Sequence, residues 1–245
     1  MIPVRDSIRS RRFPVATVGI IAVNVLVFFY QSSLGQQKLS LFFLRYGIVP
    51  LQFSLLPRFL LGGRLDVVGH ILGTLVSGMF LHGNLLHLFG NMLYLWVFGD
   101  NVEDRIGSVK YVIFYVLTGA AGTLAHIGFD PTSATPLIGA SGAIAGVLGA
   151  YFVSFPRSRV LALVPIFFFL HLAEVPAIIF LLFWFVLQLI NGLGALATGP
   201  ADVVAWWAHI GGFAAGIILI RLMGRRPRRA PLPPASPDPW EADAS

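Results

Sequence analysis

Apolar residues along this chain gather into long runs with few polar interruptions. The first run extends from residue 14 to about 31, directly behind the basic stretch "VRDSIRSRRF". Five more cover roughly 80–99, 109–129, 138–155, 176–196 and 203–223. Each is close to the ~20 residues a helix needs to cross the hydrocarbon core of a bilayer. A basic start before an apolar run has the form of a secretory signal. This run is too long for one, however, and no small-x-small cleavage site follows closely, so it reads as a first transmembrane helix. The pattern predicts an all-α polytopic membrane protein with six helices across residues 14–223 and a basic N-terminus over 1–13.

The stretches between runs differ in kind. Residues 34–79 contain Pro50, Pro57, Gly62, Gly63 and Gly69 among short apolar pieces, which predicts a long first loop with short interfacial helices. Residues 157–176, "RSRVLALVPIFFFLHLAEVP", are apolar but broken at Pro165 and Pro176. Arg157, Arg159 and Glu174 bracket a run too short to cross, so an interfacial or re-entrant connection is expected. The tail from 224 to 245, "GRRPRRAPLPPASPDPWEADAS", is Pro-rich and cannot bury a core, which predicts disorder.

Composition agrees with the pattern. The chain is 56% hydrophobic and 11% charged, with a mean hydropathy of +0.80; a soluble domain carries about 25% charged residues. The net charge of +6 does not point to nucleic acid, because the cations sit beside apolar runs and orient helices there. With six spans both termini share a side, and that side collects thirteen of the 17 Lys and Arg residues. The other four, Lys38, Arg45, Arg58 and Arg64, lie in the long first loop. The positive-inside rule therefore places both termini in the cytoplasm. The chain has no cysteine, which excludes disulfides, thiol catalysis and thiolate metal sites.

Topology then gives the few polar groups a common depth. The second, fourth and sixth runs all pass from outside to inside. The second opens "FLHGNLLHLFGNM", with His82, His87 and Asn91. The fourth, "LIGASGAIAGVLGAY", carries Ser141 near its start, and the sixth, "DVVAWWAHIGGFAAG", carries His209. At ~1.5 Å rise per residue these groups lie in the outer third to half of the bilayer. Polar groups within spans are costly and face the protein interior or a wet cavity by default. His87 and Asn91 are four apart and share a helix face. Ser141 and His209 are the residue types of a nucleophile and its general base. His87, Asn91 and the Ser141 backbone N–H are donors suited to an oxyanion. Gly142 with Gly146, and Gly212 with Gly216, make two small-residue spacings through which helix backbones can approach closely. Packing through these faces would bring Ser141 and His209 together.

These residues are the ones that make the chain resemble the rhomboid family of intramembrane serine proteases. The resemblance rests on "FLHGNLLHLFGNM", "GDNVEDRIG", "GASG" and "AHIGGFAAG", in that order, over about residues 75–223. It implies a six-helix core with a water-accessible cavity opening outward, and a Ser–His dyad without a third acid, with Ser141 as nucleophile and His209 as general base. It puts His87 and Asn91 at oxyanion positions and Gly139 in the GxSG motif. It makes His82, Glu103 and Arg105 structural, and implies other transmembrane proteins as substrates, the bilayer as environment and no cofactor or metal. Two departures stand out. The Trp–Arg pair that some members carry before the second span is missing from "HILGTLVSGMF". The aromatic that some members place four residues after the serine is Ala145 here, so another group must hold His209, with Trp206 and Trp207 as candidates.

Each residue also has a plainer reading. Ser141 alone would be a packing or capping residue, His209 an interhelical donor, and His87 with Asn91 glue between helices. His126 and Asp130 share a face, but two ligands without a third make an interface pair rather than a metal site. Asp202, after Pro200, reads as an N-cap. Gln188 lies in the fifth run, which in this family flanks the side where substrates arrive; gating and packing are its two readings. A non-catalytic membrane-protein binder is the alternative to a protease, although such a binder would be expected to lack the serine or the histidine. A small transporter would need repeated halves, which the sequence does not show. The compact plan and short termini suggest a bacterial cytoplasmic membrane.

Overall fold

The computed structural model describes residues 1–166, 169–198 and 204–224. The tail beyond Gly224 and the N-cap expected at Asp202 lie outside the described residues.

The helices turn an apolar side outward. In α1, Val15–Ser32, the buried residues are Thr17, Ile20, Asn24 and Gln31. Three of these four are polar, and Thr17, Asn24 and Gln31 recur every seven residues, which keeps them on one face. The opposite face exposes Leu26 and Phe29. This inverts the usual surface helix of a soluble protein. It suits a lipid solvent, where polar groups must find partners inside. Exposed Ile113, Leu117 and Leu124 on α7 (Ser108–Phe129) and Leu182, Leu187 and Ile190 on α9 (Ala177–Thr198) continue the apolar surface. The protein is an integral membrane protein. Among the described residues three helices, α1, α7 and α9, are long and apolar enough to cross a membrane. A fourth span is counted if Leu65–Phe80 and Leu85–Ile106, bent by 83°, act as one.

Four helices build the centre: α6 (Leu85–Ile106), α7, α8 (Ser141–Ser154) and α10 (Trp206–Leu222). Helix α8 is buried along its whole length from Gly142 to Tyr151. It packs most extensively on α10, next on α7, and also on α6. The α8–α10 approach is one of backbones. A methyl group at Gly212 would collide with the Gly142 carbonyl oxygen, and one at Gly216 with that of Gly146. The two glycine spacings read from the sequence thus face each other across this interface. Gly146 additionally admits the side chain of Thr118 from α7.

The opposite end of the bundle is tied by polar groups. The Glu103 carboxyl, near the end of α6, accepts from the Ala16 and Thr17 backbone N–H groups (3.0 and 2.8 Å), the Thr17 hydroxyl (2.8 Å) and the Ser108 hydroxyl (2.6 Å). One side chain therefore caps the start of α1 and ties it to the first side chain of α7. Arg105 sits in the same last turn of α6. Lys110 closes the far end of α10 by donating to the Met223 carbonyl at 3.0 Å.

The stretch from 34 to 79 folds into α2 (Gln36–Tyr46), α3 (Pro50–Ser54), α4 (Leu56–Leu61) and α5 (Leu65–Ser77), followed by a 3-10 turn at Gly78–Phe80. It braces the connection that leads into α8. Ile48 and Leu137 exchange backbone hydrogen bonds of 3.1 and 2.8 Å, and Gly139 N–H donates to the Gly78 carbonyl at 2.9 Å.

The structure departs from the all-α expectation in one place. Two antiparallel strands form here, β2 (Arg159–Ile166) and β3 (Phe169–Pro176), and the N-terminal β1 (Ile2–Asp6) adds to them in the order β1-β2-β3, all antiparallel. In β2, Val160 and Ala162 are buried while Arg159 is exposed, a period of two. The alternation is hard to see in sequence because Leu161 and Leu163 on the other face are apolar as well. Asp6 fixes the base of the sheet on the bundle, accepting from the Tyr151 hydroxyl (2.5 Å) and the Asn101 amide (2.8 Å).

Candidate active site

Ser141 is the first residue of α8, and the first intrahelical bond runs from Ile144 N–H to the Ala140 carbonyl. The N–H groups of Ser141, Gly142 and Ala143 therefore belong to the unpaired donors of a helix start, at the positive end of its dipole. The tight entry into the helix depends on Gly139, whose φ of +126° is disfavoured for any residue with a Cβ. Its Cα also lies against the His87 ring, since a Cβ there would come within 2.8 Å of Cε1. Gly139→Ala is thus expected to strain the turn and displace His87 together. A loss of about 2–3 kcal/mol in stability, with reactivity at Ser141 reduced, is the anticipated result of thermal unfolding and hydroxyl-labelling assays.

His209 lies one turn into α10, and its Nε2 is 2.8 Å from Ser141 Oγ. Its Nδ1 is 2.8 Å from Gln188 Oε1 on α9. The Trp184 and Trp206 rings stand at centroid distances of 5.9 and 6.1 Å from the imidazole. Trp207 turns away and stacks on Phe129 at 3.6 Å. Of the two tryptophans expected to hold His209, only Trp206 faces it. Ala145 is fully buried where α8 meets Gly212, so this position serves close helix packing.

Helix α6 supplies the third wall. The Asn84 side chain caps its start by accepting from His87 N–H at 2.8 Å. Buried Asn91 donates through Nδ2 to His82 Nε2 at 2.9 Å. His82 is held in turn through its backbone by the Gln31 amide of α1. The His82 and His87 rings meet edge to face at 5.1 Å. An Asn amide has two N–H donors, so one is left over from the bond to His82 in a residue that lines the same cavity as Ser141.

These groups line a cavity of about 670 Å³ that includes His87, Asn91, Gly139, Ser141, Ala205 and His209. A smaller cavity of about 270 Å³ shares His87, Asn91, Ser141 and His209, and continues between α6 and α9 past Tyr94, Leu148 and Trp184. A hydroxyl bonded to an imidazole nitrogen, at a helix start and among further donors, is an arrangement suited to acyl transfer. Sequence reading left Gln188 between gating and packing and gave Trp184 no role. Both lie in an almost wholly apolar run, and only their four-residue spacing hints that they share a face.

A family model described as "Rhomboid domain" matches residues 70–226, more than half of the chain. The chain is 38% identical over 76 residues to RHOMBOID-like protein 5 of Arabidopsis thaliana, covering 31% of this chain and 25% of that protein. It is 32% identical over 95 residues to Rhomboid protein 1, mitochondrial, of Saccharomyces cerevisiae, covering 37% and 28%. It is 41% identical over 76 residues to Rhomboid protease GluP of Bacillus subtilis, covering 31% and 14%. The chain thus spans less than a third of the length of each of these relatives.

Proposed function

The chain belongs to the rhomboid family, and on that premise we propose that it is an intramembrane serine endopeptidase that cuts transmembrane segments of other proteins near the outer face. The observation that carries this reading is the 2.8 Å contact between Ser141 Oγ and His209 Nε2 in a cavity at the start of α8. Ser141 Oγ attacks the scissile carbonyl carbon while its proton passes to His209 Nε2. The oxyanion is met by N–H groups at the start of α8 with the His87 and Asn91 side chains. The proton on Nε2 then goes to the departing amine, leaving an acyl-serine. A water molecule, deprotonated by His209, hydrolyses that ester and restores the hydroxyl.

The same reading gives six spans, α1, α6, α7, α8, α9 and α10, with both termini in the cytoplasm and 14–223 as the membrane domain of a bacterial cytoplasmic membrane protein. A helical substrate hides its carbonyls in its own hydrogen bonds, so substrates with small or helix-destabilising residues near the outer face are favoured. The space between α6 and α9 is the path such a segment would take. A fluorophosphonate probe on the purified chain tests the reading. Labelling should fall on Ser141 and be lost in His209→Ala. Labelling that persists in His209→Ala, with no hydrolysis of any membrane substrate, would favour a non-catalytic binder.

A further inference from the structure

We propose that Gln188 is a positioning residue that locks His209 in the one tautomer able to accept the Ser141 proton. The inference rests on the reading of Ser141 and His209 as nucleophile and base.

The direction of every hydrogen bond follows from residue chemistry. Gln188 Nε2 lies 3.0 Å from the Trp184 carbonyl oxygen. A carbonyl only accepts, so the donating NH2 of the amide must face Trp184, and this fixes which end of the amide is which. Oε1 is then the atom turned to His209, at 2.8 Å from Nδ1. An amide oxygen only accepts, so the imidazole proton sits on Nδ1. In the neutral ring the other nitrogen, Nε2, then carries a lone pair, and it faces Ser141 Oγ at 2.8 Å. One-way donation therefore runs from Ser141 to His209, to Gln188, to the Trp184 carbonyl.

Gln188 is suited to this by its burial, at 6% exposure. It sits on the inward face of α9, whereas a residue gating lipid access would face outward. Its anchor lies one turn back in its own helix, so the acceptor is held without help from mobile loops. Among the described side chains the other titratable groups that act on His209 electrostatically are His87 from α6 and His126 from α7. No acidic side chain occurs in α8, α9 or α10, so an amide does here what a carboxylate does in three-residue serine hydrolases. It orients the ring but adds no charge to stabilise the imidazolium.

The primary test is the tautomer of the wild-type protein. ¹⁵N-histidine labelling in liposomes, with the signal assigned by its loss in His209→Asn, should show a protonated Nδ1 and an unprotonated Nε2. A proton on Nε2 overturns the proposal whatever the variants do. Hydrolysis kinetics add a second readout. Gln188→Leu keeps the bulk and removes the acceptor; kcat should fall about 10- to 100-fold with KM within about twofold. Gln188→Glu keeps an acceptor and should restore kcat to within about fivefold of wild type. Gln188→Leu with full kcat overturns the proposal, as does a Gln188→Glu variant no better than Leu. If Gln188→Leu loses its thermal transition, the wild-type spectrum and the Glu variant decide. Hydrolysis that survives in Ser141→Ala would instead sink the proposed function, and the ¹⁵N result would still report on Gln188.

Discussion

Ser141→Ala, His209→Ala and the double variant should all lose hydrolysis of a transmembrane substrate to the same residual level. Each single change is expected to lower kcat on the order of 10⁴-fold or more, and the double change should add nothing further. In the proposed mechanism the two side chains act as one unit. Without His209 the hydroxyl keeps its proton and is a weak nucleophile; without Ser141 the imidazole has no nucleophile to activate. KM should move little, because on this reading substrate docks on the cavity walls rather than on the 2.8 Å contact itself. Steady-state kinetics in proteoliposomes, at matched protein density and with thermal unfolding as a control, read this directly. Additive losses would mean that the two residues contribute independently and are not a dyad.

His87→Ala and Asn91→Ala belong to a lower tier in the same assay. Asn91 is already engaged by His82 at 2.9 Å, so its removal would also leave a buried imidazole nitrogen unpaired.

The membrane helices were legible because lipid makes polarity scarce. A serine, three histidines and an asparagine inside apolar runs stand out, and four of these residues, His87, Asn91, Ser141 and His209, line one cavity. The Gly142/Gly146 and Gly212/Gly216 spacings were legible for a related reason: close backbone contact demands small residues, and few other demands place glycine at i and i+4 within a span. The three-stranded sheet was hidden because both faces of β2 carry aliphatic residues, so the period of two does not appear as a polarity change. Its partner, β1, lies more than 150 residues away. Gln188 was visible as a polar residue in an apolar run, but its partner depends on how α9 rotates about its axis. Nothing local encodes that rotation. The seven-residue polar stripe of α1, Thr17, Asn24 and Gln31, could have been found by periodicity, and it names the face that meets Glu103 and His82.

The second large effect concerns the α8–α10 interface, and it separates two kinds of glycine. Gly216→Ala should destabilise the protein by about 3 kcal/mol or more and reduce labelling of Ser141, since the added methyl would collide with the Gly146 carbonyl oxygen. A backbone atom cannot rotate away as a side chain can, so relief requires α10 to shift as a whole. That shift carries His209 from Ser141, less than two turns distant along α10. Gly212→Ala should behave in the same way through the Gly142 carbonyl. Gly19→Ala in α1 is the control. Its Cβ would meet nothing within 4 Å, and alanine restricts the unfolded chain more than glycine does, so a gain of about 0.5–1 kcal/mol is expected. The same chemical change should thus lower Tm at 212 and 216 and raise it at 19. Thermal unfolding in a single detergent compares all three variants. Equal effects at 19 and 216 would mean that helix propensity, and not backbone approach, governs these glycines, and that α8 and α10 are held together by something other than their facing glycines.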